Sequence, residues 1–232
     1  MRRAFLAACC AMLAAFAPTP ALALVVEVGE TVTRPVLDAT VVNHGLLSGT
    51  IEAPLEFGAQ VTVSGSGRFD HTLVHGVFAP GNSPGITSGT NQAFGATAVL
   101  EVELGGPLPG FGAGRHDQVN DSASVFLIGG PTLSVLPYGG YVPPLGTTFK
   151  VLTWQTGLVG TFGALQIDPH FTTNGVTFKQ QITNPGGPGD LTLVAVAVPE
   201  ANAWLLTGVV ATTGLRRLGR CRSAQTRRPG RS

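Results

Sequence analysis

Between Leu24 and Val198 the chain shows little of the 3.6-residue period of a helix, and runs that alternate apolar with polar residues recur instead. Ala59-Gln60-Val61-Thr62-Val63-Ser64 sets small or apolar residues against polar ones, and Ala98-Val99-Leu100-Glu101-Val102-Glu103-Leu104 does so more sharply. Alternation of this kind sends one face of a strand into a core and the other to water. Gly, Pro, Asn and Ser bound the runs, so the pattern predicts many short strands joined by tight turns. Phe171-Thr172-Thr173 and Val176-Thr177-Phe178 flank Asn174-Gly175, a strong hairpin signal. Asn184-Pro185-Gly186-Gly187-Pro188-Gly189 reads as a loop before a last strand, Leu191 to Val198.

Both ends of the chain break this pattern. Arg2 and Arg3 precede an apolar run, Ala4 to Ala17, followed by Pro18, Thr19, Pro20 and Ala21-Leu22-Ala23. A basic start, a short apolar stretch and small residues two apart are the marks of a secretory signal peptide over residues 1–23, with Ala21 and Ala23 as its cleavage residues. Leu6-Ala7-Ala8-Cys9 fits a lipobox in residue type, but too short an apolar stretch precedes Cys9. The body, residues 24–198, contains no cysteine, because the three are Cys9, Cys10 and Cys221. Disulfides therefore cannot hold it, and burial and backbone pairing must.

At the other end Val198-Pro199-Glu200 leads into a mostly apolar stretch, Ala201 to Leu215, and then Arg216 and Arg217. This order resembles the PEP-CTERM sorting signal of exosortase substrates. The resemblance implies an exported protein held in the inner membrane by residues 199–217, with the arginines as the positive stop on the cytoplasmic side, until an exosortase-like protease cuts near the motif. It further implies a final home at the cell surface or in the extracellular matrix. Ala201 departs from the family pattern, which has a second proline there. An ordinary amphipathic C-terminal helix is the alternative. Residues 218–232 form a basic tail.

Charged residues make up only 12% of the chain while 44% are hydrophobic, enough apolar surface for a sizeable core. The formal charge of +1 conceals a segregation, since seven of the 14 basic residues lie between Arg216 and Arg231. From Glu27 to Glu200 five basic residues face 13 acidic ones, a net charge of −8. Phosphate contacts need a basic face on the folded body, so no nucleic-acid partner is expected.

The stretch from about Gly45 to Leu165 resembles the C-terminal part of autotransporter passenger domains in the order of its segments. Gly76 to Gly85 is similar to that family's turn between rungs, Val99 to Gly106 to its next strand with paired glycines, and His116-Asp117-Gln118-Val119 to the start of the following one. Gly146 to Leu152 and Gly160-Thr161-Phe162 are similar to its closing strands. The resemblance implies an all-β fold, a short right-handed parallel β-helix or β-solenoid, serving as an extracellular scaffold. The Asn174-Gly175 hairpin is expected to cap one end of the stack. A β-sandwich is the alternative architecture. An N-terminal signal helix and a C-terminal membrane helix complete the expected chain.

Candidate chemistry is sparse. Gly81-Asn82-Ser83-Pro84-Gly85 fits G-x-S-x-G, but Pro84 has no N–H to offer an oxyanion hole, so the segment reads as a turn. His71 and His75 would span about 13 Å on a strand, too far to share one zinc ion. His44, His116 and His170 read, like them, as surface or turn residues. Glu101 with Glu103, and Asp117 with Asp121, each suit one strand face and raise the possibility of an acid pair for glycoside cleavage. No phosphate-cradling or dinucleotide motif occurs, and no cofactor or metal is indicated. The expected function is a non-enzymatic surface or exopolysaccharide-matrix protein, with surface polysaccharide as a candidate partner. The alternatives are a secreted polysaccharide-active enzyme and a carbohydrate-binding module using Trp154, Tyr138 and Tyr141.

Overall fold

The computed structural model describes residues 23–199 apart from Asp38 and Asn82. The signal segment up to Leu22, Glu200 of the sorting motif and the positive stop Arg216–Arg217 lie outside the described residues. Among the described residues no helix is long and apolar enough to cross a membrane.

The chain winds in successive circuits, and most circuits give one strand to each of three sheets. The first circuit carries β1 (Ala23–Val26) and β2 (Thr31–Val32), and Val36 bridges to the second at Phe57. The second carries β3 (Thr40–Asn43), β4 (Leu46–Ser48) and β5 (Leu55–Phe57), and the third β6 (Thr62–Gly65), β7 (Arg68–Asp70) and β8 (Thr72–Val74). The fourth carries β9 (Val77–Pro80), β10 (Ile86–Thr90) and β11 (Ala93–Phe94). The fifth begins with β12 (Val99–Leu104), makes an excursion through β13 (Leu108–Pro109) and β14 (Arg115–His116), and resumes with β15 (Gln118–Asp121) and β16 (Ser124–Leu127). The sixth carries β17 (Thr132–Pro137), β18 (Thr148–Trp154) and β19 (Gly157–Gly160), and β20 (Ala164–Ile167) starts the last.

Strands stack in parallel along each sheet: β1, β3, β6, β9, β12, β17 and β20 in the first, β2, β4, β7, β10, β15 and β18 in the second, β5, β8, β11, β16 and β19 in the third. The fold is thus nearly all-β and built on parallel sheets, an arrangement compatible with a β-helix. The parallel pairing runs against the antiparallel sheets of a β-sandwich.

The alternation read from the sequence sets the core. In β12, Leu100, Val102 and Leu104 are fully buried while Val99, Glu101 and Glu103 face outward and remain partly exposed. Inward positions of the three sheets converge between them. Phe69 of β7, Phe78 of β9 and Phe94 of β11 come from one sheet each and meet edge to face, with ring centroids 4.9 and 5.6 Å apart. This geometry favours contact between a ring edge and a neighbouring π face.

Corners between strands are tight. Asn43, buried at the turn after β3, donates from Nδ2 to the Arg68 carbonyl at 3.0 Å and accepts from the Gly45 N–H at 3.0 Å. Gly67 of the next circuit packs on it so closely that a β-carbon there would lie 2.5 Å from the Asn43 side chain. Only glycine fits.

The closing end corrects the sequence reading. Phe171-Thr172-Thr173 is not the first arm of a hairpin but part of a short helix, α1 (Pro169–Thr173). Asp168 caps it by accepting the His170 N–H at 2.8 Å, and Pro169 supplies a preset φ at its first position. Asn174 and Gly175, with φ +77°, end it. Phe171 is buried against Phe178, ring centroids 5.0 Å apart, which offsets the strand preference of the segment. The hairpin lies one step later, between β21 (Val176–Thr183) and β22 (Gly189–Ala197), turned by the Asn184–Pro188 loop. β22 pairs antiparallel with β18 and so extends the second sheet beyond its last parallel strand. The other end of that sheet is β2.

Because Phe78 joins all three sheets, Phe78→Ala should cost about 3–5 kcal/mol of stability. Urea denaturation followed by circular dichroism would read this as a lower midpoint with an unchanged slope; an unchanged midpoint would mean that the three rings do not act as a common core.

Candidate functional site

Among the described residues several sequence-flagged acids meet in an outward notch beside the turn from β9 to β10. Glu101 and Glu103 project from β12, Asp117 comes from the residue before β15, and Ser83 lies on the turn opposite. They line, with Ser64 and Leu136, a cavity of about 220 Å³. The turn itself is the G-x-S-x-G segment: Gly81 exchanges two backbone hydrogen bonds with Gly65, at 2.9 and 3.0 Å, and β10 follows it. A nucleophile elbow requires a helix there.

Asp117 is 1% exposed, and both its oxygens are engaged. Oδ1 accepts the Gly85 N–H at 2.5 Å and Oδ2 the Glu103 N–H at 2.7 Å. Burial pushes this carboxyl up to about 7, against the pull of the two N–H donors, and the charges of Glu103 and Glu101 add to the rise. Glu101 is also raised, by burial first and the Glu103 charge second.

The expected pairing of Asp117 with Asp121 is not found. They stand at opposite ends of β15 and tie down opposite corners: Asp121 accepts from Asn91 at 3.1 Å, Gln92 at 2.9 Å and Ala123 at 2.7 Å. Burial raises its pKa, the three N–H groups oppose this, and the Asp70 charge adds to it. Gly85, Asn91 and Gln92 belong to the circuit before, so each aspartate bridges adjacent circuits at a corner where strand pairing lapses.

His116 is another correction, since it is buried and not a surface residue. Its ring packs on Phe149 at 5.4 Å, with Nδ1 3.0 Å from the Gly106 carbonyl and Nε2 3.2 Å from the Lys150 carbonyl. Burial lowers its pKa, opposed by those two carbonyls. His71 and Asn91 occupy left-handed corners of successive circuits, with φ +48° and +53°, and Nδ1 of His71 lies 3.5 Å from the Asn91 amide nitrogen. Among the described residues no group of three or more His, Cys, Asp and Glu is placed to hold a metal ion.

Two of the three aromatic candidates, Trp154 and Tyr141, are turned towards the core. Trp154 is fully buried and donates its indole N–H to the Asn184 carbonyl at 3.2 Å, fastening the closing hairpin. Tyr141 is partly buried against Phe149, 6.4 Å between centroids, and burial raises its pKa.

No protein-family model matches the chain, and no curated protein matches it.

An acid whose pKa folding raises holds its proton more tightly in the folded state. Asp117 therefore contributes most below its ordinary value of 3.8, and the contribution fades as pH rises towards about 7. Asp117→Asn leaves one of the two N–H groups without an acceptor and should cost about 1–3 kcal/mol. Thermal melts between pH 4 and pH 7 should show the native protein above the variant, with a gap that narrows as pH rises; a gap that widens would mean that the carboxylate is stabilised and its pKa lowered.

Proposed function

We propose that the chain is a non-enzymatic exported protein of the cell surface or exopolysaccharide matrix, resembling the PEP-CTERM exosortase substrates, with a right-handed parallel β-helix as its body. The observation that carries this reading is the pair of end patterns. Arg2-Arg3, the apolar run and Ala21–Ala23 stand before the β-rich body; Val198-Pro199-Glu200, an apolar stretch and Arg216-Arg217 stand after it. A body free of cysteine and held by parallel backbone pairing supports the same reading, because it folds without an oxidation step. On this account the N-terminal segment exports the chain, the C-terminal segment anchors it in the inner membrane, and an exosortase-like protease then releases it.

Cleavage after Ala23 is compatible with the fold. Of the four register pairs between β1 and β3 it removes only Ala23 with Thr40, leaving Leu24, Val25 and Val26 opposite Val41, Val42 and Asn43. Val198 donates its N–H to the Gly175 carbonyl at 3.0 Å, so a cut at Pro199 or Glu200 would leave this tie to the body intact.

A second reading, a polysaccharide-active enzyme, is favoured by the acidic notch of Glu101, Glu103 and Asp117. It ranks below the first because Asp117 is 1% exposed and both its oxygens accept backbone N–H groups, which ties the carboxyl to the fold rather than presenting it to a substrate.

The test is the intact mass of the protein recovered from the surface and medium of its host, with both termini assigned by peptide mass spectrometry. A chain from Leu24 to Pro199 or Glu200 is the expected result. One that still ends at Ser232 would remove sorting-signal cleavage from the account.

A further inference from the structure

The outer faces of the three sheets differ in chemistry. On the third sheet the outward column reads Glu56, Leu73, Ala93, Phe126, Val159, mostly apolar. On the second, parallel register places Arg68, Ser88, Asn120 and Thr153 one above another, one per circuit, and Asp190 of β22 continues the line. Two residues further along their strands Asp70 and Thr90 share a register position, and Thr90 Oγ1 lies 2.7 Å from Ser122 Oγ of the next circuit. Every one of these polar side chains is partly or fully exposed. Arg68, Ser88, Asn120, Ser122, Thr153 and Gln155 line a depression of about 290 Å³ on this face.

The groups are held in place yet keep capacity to bind. The Arg68 guanidinium is fixed by Asp70 at 2.7 Å and by Thr90 at 2.8 Å, and Thr153 donates to Asn120 Oδ1 at 2.9 Å. Among the described residues no hydrogen bond engages Asn120 Nδ2, Ser88 Oγ or the side-chain amide of Gln155. Fixed donors and acceptors lose less entropy on binding than free ones. The charges cancel locally, Arg68 against Asp70 and Lys150 against Asp190 at 3.0 Å, while the body as a whole is acidic.

We infer that this face binds a neutral, extended polysaccharide running along the stacking direction, one sugar unit to each circuit, through the Arg68–Ser88–Asn120–Thr153 column and its Ser122 and Gln155 neighbours. Parallel strands repeat every 4.7–4.9 Å or so, close to the length of one pyranose unit in an extended glycan. Each circuit therefore offers its hydroxyl, amide or guanidinium to the next ring in turn. A polyanion would meet no net positive charge here and would be repelled by the acidic body. This inference rests on the proposal that the protein works outside the cell, where such polymers lie.

The test is native affinity electrophoresis of the full chain through gels containing hydroxyethyl cellulose, laminarin or dextran, with polygalacturonate as the acidic counterpart. At least one neutral glycan should retard the protein and polygalacturonate should not. Gln155→Ala, which removes no internal hydrogen bond, combined with Asn120→Ala, should weaken retardation roughly tenfold, the effect of losing one or two hydrogen bonds. Gln155→Ala alone should weaken it in the same direction, and Lys179→Ala on β21 should leave it unchanged. Retardation by no neutral glycan, retardation by polygalacturonate alone, or equal binding by the native and variant chains would overturn the inference. Cell fractionation reads the location independently: a cytoplasmic protein sinks the surface reading, whereas a surface protein indifferent to all three neutral glycans sinks only this one.

Discussion

Everything in this molecule depends on keeping one face of every strand turned inward through successive circuits. A slip of one residue would bring Glu101 and Glu103 into the core and put Leu100, Val102 and Leu104 in water. The parallel ladder fixes this register through backbone bonds between residues far apart in sequence, such as Val99 and Thr132 or Val119 and Leu152. The buried phenylalanines then reward the register, since Phe69, Phe78 and Phe94 meet only when three different strands are in phase. Neither part is sufficient alone: backbone pairing is indifferent to side-chain identity, and burial is indifferent to direction.

Corners are where such a stack is weakest, because the ladder bonds lapse there and backbone N–H groups lose their partners. Three side chains meet that need in three ways. Asn43 acts as donor and acceptor at once, whereas Asp117 and Asp121 accept two and three N–H groups each. Both aspartates use their carboxyl oxygens to hold corners together, and the burial this needs also raises their pKa, so a raised pKa alone does not mark them as catalytic.

Strand positions were legible in the sequence because alternation is a local signal, and the Ala98–Leu104 run survives almost intact as β12. The Asn174-Gly175 signal misled because Asp168-Pro169, a capped helix start, lies just upstream and Phe171 finds a buried place only if the segment coils. Trp154, the largest aromatic side chain of the body, was open to an exposed reading because its neighbour in space, Asn184, lies a full hairpin away in sequence. In the acidic notch Glu101 and Glu103 were legible as a pair, but Asp117 joins them only through the β13–β14 excursion, and the resemblance that marks His116–Val119 as a strand start does not tell which acids Asp117 meets. The polar columns of the second sheet were invisible for a similar reason. Ser88, Asn120 and Thr153 are unremarkable singly, and only the register between circuits lines them up.

The closing hairpin has a bearing on the order of assembly. β21 and β22 pair through residues as near in sequence as Thr183 and Asp190, so their contacts close a short loop and form quickly, whereas each circuit must wait for a distant neighbour. The hairpin therefore closes the stack with contacts local in the chain, whereas each circuit is held by partners such as Val99 and Thr132 that only the winding brings together.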